Sequence, residues 1–383
     1  MNPIPTAPLA ILPPVWENSL LLLASFLLLL LGAEVFTNAV EWLGHRLGVS
    51  ESATGSILAA VGTALPETTI PIIAIFGSGG GTKAAEEVGV GAILGAPFML
   101  ATIAMFLVGT SVLYFGTRRS NGQKMHFNNE STRRDLSFFL VGYTLAFSAA
   151  LIHSDTISHG IAALLVLLYL FYLYRSLKSG ELVEGEELED LHLGLMIEGL
   201  VPGMSADDNH SGDPHSILVA VQTLVALGLI IGGAQVFVSQ TQWVSEEVLG
   251  IPTAIVALLI APLATELPEK FNSIIWISRD KDTLALGNIS GAMAFQGTLP
   301  VTLGIMFTSW DLSFQWGTAG FLNGLSAILA IISGCVLYFR ARRINGSKMT
   351  ARPFLIGGLF YLVFLAVVVY HVVVLNVGGI PGH

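Results

Sequence analysis

The sequence predicts an all-α polytopic membrane protein, ten transmembrane helices arranged as two inverted five-helix repeats. Three observations carry that expectation. The 383-residue chain is 53% hydrophobic and only 11% charged, with a mean hydropathy of +0.72. Its apolar residues fall into runs long enough to cross a hydrocarbon core of roughly 30 Å, which takes about 20 helical residues. A motif-bearing stretch in the first half also recurs in the second.

In chain order the runs lie at 17–45, 52–77, 86–115, 136–152, 157–174, 216–245, 252–277, 283–309, 317–339 and 353–376. Each reads as a helix, because backbone in lipid must satisfy its own hydrogen bonds and nothing here alternates with the period of a barrel strand. The first run follows MNPIPTAPLAILPPVWENS, which lacks the basic region of a signal peptide, so it reads as a retained span. All of the 17 Lys and Arg residues except Lys83 and Lys270 fall in connections on one side if ten spans start outside. By the positive-inside rule that side is the cytoplasm, which places both termini outside it and suggests a cell (inner) membrane. The formal net charge of −10 describes one connection, since ten acidic residues lie between Glu181 and Asp213. That connection has no D-x-D-x-D-G spacing and reads as a solvated, disordered linker. The organisation expected is a first repeat over 1–179, an acidic cytoplasmic loop over 180–215 and a second repeat over 216–383.

The repeat is visible residue by residue. In LLGAEVFTNAVEWLGHRLGVSESATGSILAAVGTALPE, from Leu30, Gly32, Ala33, Val35 and Phe36 match Gly233, Ala234, Val236 and Phe237 of the stretch from Ile230. Further on, Thr63, Leu65, Pro66 and Glu67 match Thr265, Leu267, Pro268 and Glu269. Five spans per copy is an odd number, so the second copy enters from the opposite side, the inverted architecture of many secondary transporters. A second echo, RRSNGQKM from Arg118 and RRINGSKM from Arg342, is out of register with the first and reads as two cytoplasmic Asn-Gly turns with anchoring charge.

Glu67 and Glu269 each follow a proline in the middle of an apolar run. Ionised side chains at that depth cost about 2.5–3.5 kcal/mol on insertion scales, so they mark ion paths or polar cavities; the bland alternative is an interhelical hydrogen bond. Pro66 and Pro268 cannot donate, which frees the carbonyls four residues back, at Gly62 and Ala264, and predicts a kink. Thr63 and Thr265 lie one turn before the acids on roughly the same face. Carboxylate, hydroxyl and carbonyl oxygens without a nearby His or Cys suit hard cations such as Ca²⁺ or Na⁺. Asn288, within the next span of the second half, offers either a further amide oxygen or an interhelical hydrogen bond. Gly91, Gly95, Gly287 and Gly291 read as close-packing positions. Glu34 and Glu41 are not repeated as acids in the second half and read as hydrogen-bonding groups, with ion binding as the alternative.

At these residues the chain resembles the calcium/cation antiporter superfamily, which includes the sodium/calcium exchangers. That family carries G-T-S-L-P-E in one span of each half and G-N-x-I-G-S in the next. Here GTALPE (62–67) and ATELPE (264–269) match the first element, within motif regions at about 52–100 and 252–300, while GAILGA (91–96) and GNISGA (287–292) match the second more loosely. The resemblance implies that Glu67 and Glu269 are paired metal-binding carboxylates, with Thr63 and Thr265 adding oxygens. Two departures stand out. The serine of the first element is Ala64 in one half and Glu266 in the other, and the asparagine of the second element is Ala92 in the first half. Glu266 adds a carboxylate near Glu269, Lys270 either neutralises it or points away, and the coupling ion stays open between Na⁺ and H⁺.

The function expected is a secondary antiporter exchanging Ca²⁺ for Na⁺ or H⁺ by alternating access. A cation channel, or an H⁺-coupled antiporter for another cation, monovalent or divalent, is the alternative. An intramembrane hydrolase would need a His–metal pair or two water-activating acids at depth, and none of the nine histidines is near either LPE element. The single cysteine, Cys335, allows no intrachain disulfide and no Cys-based metal cluster. No cofactor is expected, and the partners are inorganic cations and the lipid bilayer, with no nucleic acid.

Overall fold

The computed structural model describes residues 15–46, 65–77, 82–152, 154–178, 190–194, 214–310, 312, 314–343 and 348–375. The chain is mostly helical. The first half comprises α1 (Val15–Arg46), α2 (Leu65–Phe76), α3 (Lys83–Phe115), α4 (Asn129–Leu151) and α5 (Asp155–Lys178). The second comprises α6 (Ser216–Leu249), α7 (Thr253–Thr265), α8 (Leu267–Ser278), α9 (Asp282–Gln296), α10 (Leu299–Phe307), α11 (Ala319–Arg342) and α12 (Ile356–Val373). Among the described residues, seven apolar helices are long enough to cross a membrane, while 66–76 and 253–263 are apolar but shorter. The run read as 136–152 begins earlier, because Asn128 caps α4 by accepting from the backbone N–H groups of Glu130 and Ser131, which adds a polar turn, NESTRRD, ahead of the apolar stretch.

Burial sorts the helices. The apolar stretch of α3 is 83% buried, against 22% in α1 and 17% in α5, so α3 is the central helix and the others present leucines outward. Exposed Leu20, Leu23, Leu27, Leu164, Leu167 and Leu170 are what lipid-facing surface requires. Helix α3 packs on α2, α7, α11 and α12. Its contact with α7 is backbone on backbone: a Cβ at Gly91 would lie 2.7 Å from the Ala254 carbonyl oxygen, and one at Gly95 would meet Leu258 O and Pro262 Cγ at 2.4 and 2.5 Å. Those two glycines therefore pack as expected. Gly287 does not, for among the described residues a Cβ there would meet nothing within 4 Å, and at Gly291 only the Tyr172 hydroxyl at 3.6 Å. Partway along α3 the ladder loosens into a π turn at Leu100–Ala104, just after Pro97, which lacks an N–H to donate. The Ser333 hydroxyl donates to the Ala101 carbonyl there at 2.5 Å, tying α11 to the turn.

Three of the connections that carry basic residues meet, those around 118–128, 279–283 and 341–350. The two Asn-Gly echoes meet as an antiparallel pair of short strands, β1 (Lys124–His126) and β2 (Lys348–Thr350), with Met125 opposite Met349 and both buried. The echo thus has a structural reason: each copy supplies one strand. Beside it Arg119, its side chain fully buried, makes two 2.6 Å contacts to the Asp282 carboxylate and donates through Nε to Asp280 at 3.2 Å.

The acidic connection is not solvated throughout. Residues 190–194 dock between α1 and α6, where Gln222 Nε2 donates to Asn38 Oδ1 at 2.8 Å. The backbone N–H groups of His192 and Leu193 donate to Asn38 and Gln222 at 3.1 and 2.7 Å, and Leu191 is buried with Trp42 and Val219. Two polar side chains inside apolar helices gave this segment its partners. Glu34, exposed on α1, lies 3.9 Å from His192 Nε2; the side chain of Glu41 and residues 195–213 lie outside the described residues.

Candidate cation site

The site is built around a helix break. Pro268 has no N–H for the Ala264 carbonyl, and the helix that begins at Thr253 ends at Thr265. Glu266 is non-helical (φ −88°, ψ 10°), and α8 restarts at Leu267 with proline in its first turn. Glu269 therefore stands in the first turn of α8, where unpaired N–H groups and the helix dipole favour negative charge. Ile70 and Ala74 of α2, Ala92 of α3, and Ala257 and Ala261 of α7 belong to one buried cluster that joins these helices.

Glu67, Glu266 and Glu269 are all buried, and the charges of Glu266 and Glu269 both bear on Glu67. Neither Glu67 oxygen has a well-formed hydrogen bond among the described residues. The Thr265 hydroxyl is the side-chain donor beside it, but gives its hydrogen to the Ala261 carbonyl at 3.0 Å. An ionised carboxylate buried there costs several kcal/mol, so Glu67 must either carry a proton or meet a positive charge. Lys270 is directed inward, with Nζ 3.0 Å from Glu266 Oε2 and donating to the Pro262 carbonyl at 3.2 Å. Asn288 of α9 donates its amide to the Glu269 carbonyl at 3.2 Å and to Ser273 Oγ at 3.4 Å, the interhelical bond that the sequence left open.

Of the sequence-derived candidates, Glu67, Thr265, Glu266, Glu269 and Asn288 are described, and Glu67 neighbours the α7–α8 group. Gly62, Thr63 and Ala64 lie outside the described residues, as does the side chain of Ala264. Among the described residues no three His, Cys, Asp or Glu side chains converge closely enough to chelate a metal by themselves. Any ion held here would draw on hydroxyl and carbonyl oxygens as well. Ser273 escaped the sequence reading. Its signal was spacing, one turn after Glu269 on the same face, and its hydroxyl donates to the Ala285 carbonyl at 3.2 Å to join α8 to α9.

A bundle of apolar helices with carboxylates buried at a proline break defines a membrane ion transporter. The chain belongs to a particular family of them: a family model described as sodium/calcium exchanger protein matches residues 18–178 and 218–374. Among curated proteins, an uncharacterized membrane protein of Methanocaldococcus jannaschii is 20% identical over 275 residues, 70% of this chain and 75% of that protein. Among solved structures, the H⁺/Ca²⁺ exchanger CAX shares the fold with a TM-score of 0.63 at 18% identity, over 94% of this chain and 87% of that one. The sodium-calcium exchanger NCX_Mj, also 18% identical, gives 0.54 over 92% and 99%.

Proposed function

We propose that the protein is a secondary antiporter that moves Ca²⁺ against Na⁺ or H⁺, binding its cargo between Glu67 and Glu269. The observation that carries this reading is Glu67, buried with neither oxygen in a well-formed hydrogen bond among the described residues and set beside a second buried acid in the equivalent motif. Thr265 supplies a neighbouring hydroxyl, Thr63 and the carbonyls of Gly62 and Ala264 add oxygens, and Asn288 orients the Glu269 turn. Such hard-oxygen ligands suit Ca²⁺, which takes six to eight of them. Family membership and the fold shared with a sodium-calcium and an H⁺/Ca²⁺ exchanger support the same cargo and the same two coupling ions. We place the two halves as inverted five-span repeats, with both termini outside the cytoplasm and the chain in the cell membrane, on the distribution of Lys and Arg.

The test is Ca²⁺ counterflow in proteoliposomes holding the purified chain. Glu67→Gln and Glu269→Gln keep shape and remove charge. Each is expected to lower flux at least 100-fold, equivalent to losing about 2.7 kcal/mol or more of ion binding, with the protein still inserted and monodisperse. Wild-type flux in both variants would refute the site.

A further inference from the structure

Lys270 is a buried amine inside the transport site, and the first half holds nothing like it. Aligned on Glu67 and Glu269, the positions of Glu266 and Lys270 are occupied by Ala64 and Thr68. The second half has therefore acquired both members of an i, i+4 pair, and the first half has neither. Together the two add no net charge. Each alone would be an uncompensated ion at depth, which is costly, so they are stable there only as a pair. The amine does more than neutralise Glu266. Its Nζ sits between a carboxylate oxygen at 3.0 Å and the Pro262 carbonyl oxygen at 3.2 Å, a carbonyl that also accepts the Glu266 N–H at 3.2 Å. Carboxylate plus carbonyl is the oxygen chemistry that holds a small monovalent cation. Here an ammonium tethered to α8 fills it.

We propose that the Lys270 ammonium is a resident cation of the transport site, taking a carboxylate–carbonyl position that a transported monovalent ion would otherwise fill. The inference rests on the reading of Glu67 and Glu269 as the ion-binding pair. Three carboxylates set against one fixed ammonium leave two negative charges for the cargo. One divalent cation balances them in one direction of the cycle, and two monovalent charges balance them in the other. Exchange is then electroneutral, because the third counter-charge is built into the protein.

The experiment measures the limiting Ca²⁺ gradient in proteoliposomes at a series of clamped membrane potentials. For each net charge moved per cycle, about 59 mV changes that gradient tenfold. Wild type is expected to show no shift with potential. A tenfold shift per 59 mV in wild type would overturn the proposal. Lys270→Met strips the counter-charge from Glu266, so a further monovalent charge must travel, and the tenfold shift is expected to appear. Electroneutral exchange by this variant would mean that Lys270 only braces the helix break, and would also overturn the proposal. Should Lys270→Met fail to fold, the double variant Glu266→Ala/Lys270→Thr carries the first-half residues and no net change in charge. Whatever its rate, its gradient is expected to ignore potential, and a potential-dependent gradient would count against the proposal. Failure here is distinct from failure of the site, which would show as Ca²⁺ flux surviving Glu67→Gln and Glu269→Gln.

Discussion

Replacing Arg119 with methionine tests how the two halves are joined where these basic connections meet. Arg119 belongs to the first half, while Asp280 and Asp282 flank the corner from α8 to α9, the helices that carry Glu269 and Asn288. The Arg119 and Asp282 side chains are both fully buried, and their two contacts are 2.6 Å each. Removing the arginine leaves Asp282 with the His126 N–H at 2.7 Å, one donor where an ionised carboxylate needs several. Breaking a buried pair from one side costs about 3–5 kcal/mol. The Asp280 contact is partly exposed and adds roughly 0–1 kcal/mol. Arg119→Met/Asp282→Leu removes the stranded charge too and orphans the His126 N–H, besides the long 3.5 Å contact to the Lys124 carbonyl that both variants lose, a cost of about 1–3 kcal/mol. The double variant should therefore be more stable than the single. The assay is denaturant unfolding in detergent micelles, followed by tryptophan fluorescence. A loss below about 1 kcal/mol in Arg119→Met, or a double variant no better than the single, would refute the reasoning.

Two further outcomes follow from the packing and the charges. Gly95→Ala would force a Cβ to 2.4 Å from the Leu258 carbonyl oxygen and push α3 off α7, a loss of about 1–3 kcal/mol; Gly287→Ala, with open space around it, should change unfolding little, and equal losses in the two would contradict the packing. Asp280 is largely exposed; the small desolvation that would raise its pKa is outweighed by hydrogen bonds from the Ser120 N–H and hydroxyl and from Arg119, which hold it below the usual carboxylate value. A depressed carboxylate stabilises the fold above its ordinary value of about 3.9 and loses that contribution as pH falls through its folded value. The stability gap between wild type and Asp280→Asn should thus be constant near neutrality and close in acid; a gap that widens in acid would reverse the assignment.

Much of this was legible in the chain because membrane depth leaves few options. Two L-P-E elements in apolar runs announced buried acids and a proline break, and the break at Glu266 falls where the missing Pro268 N–H puts it. The polar joints were harder to read. Asn38 and Gln222 are polar residues within apolar helices, and only the fold shows that together they receive the backbone of residues 190–194. Asp135 was passed over because the apolar run begins after it. It is buried, accepting from Ser290 Oγ at 2.8 Å and the Tyr172 hydroxyl at 3.2 Å, and so fastens α4 and α5 to α9. Such contacts join residues far apart in sequence, and no periodicity encodes them.

The same contacts explain why one small-residue motif behaves as expected and the other does not. In the first half, Gly91 and Gly95 seat α3 against the backbone of α7, so α3 is fixed by shape. In the second half, Gly287 and Gly291 make no such close approach among the described residues, and α9 packs through Ala285, Leu286, Ile289 and Met293 on its buried face. Polar bonds add to that packing on two sides: Asn288 reaches the Glu269 carbonyl and Ser273 on one, and Ser290 reaches Asp135 on the other. Each is worth about 0.5–1.5 kcal/mol in the neutral case and more where a carboxylate accepts. A steric contact tolerates no displacement, whereas a hydrogen bond has direction and can be exchanged for another. The half carrying Glu266 and Lys270 is therefore also the half in which directional polar bonds, from Asn288 to the Glu269 carbonyl and to Ser273, supplement the packing between α8 and α9.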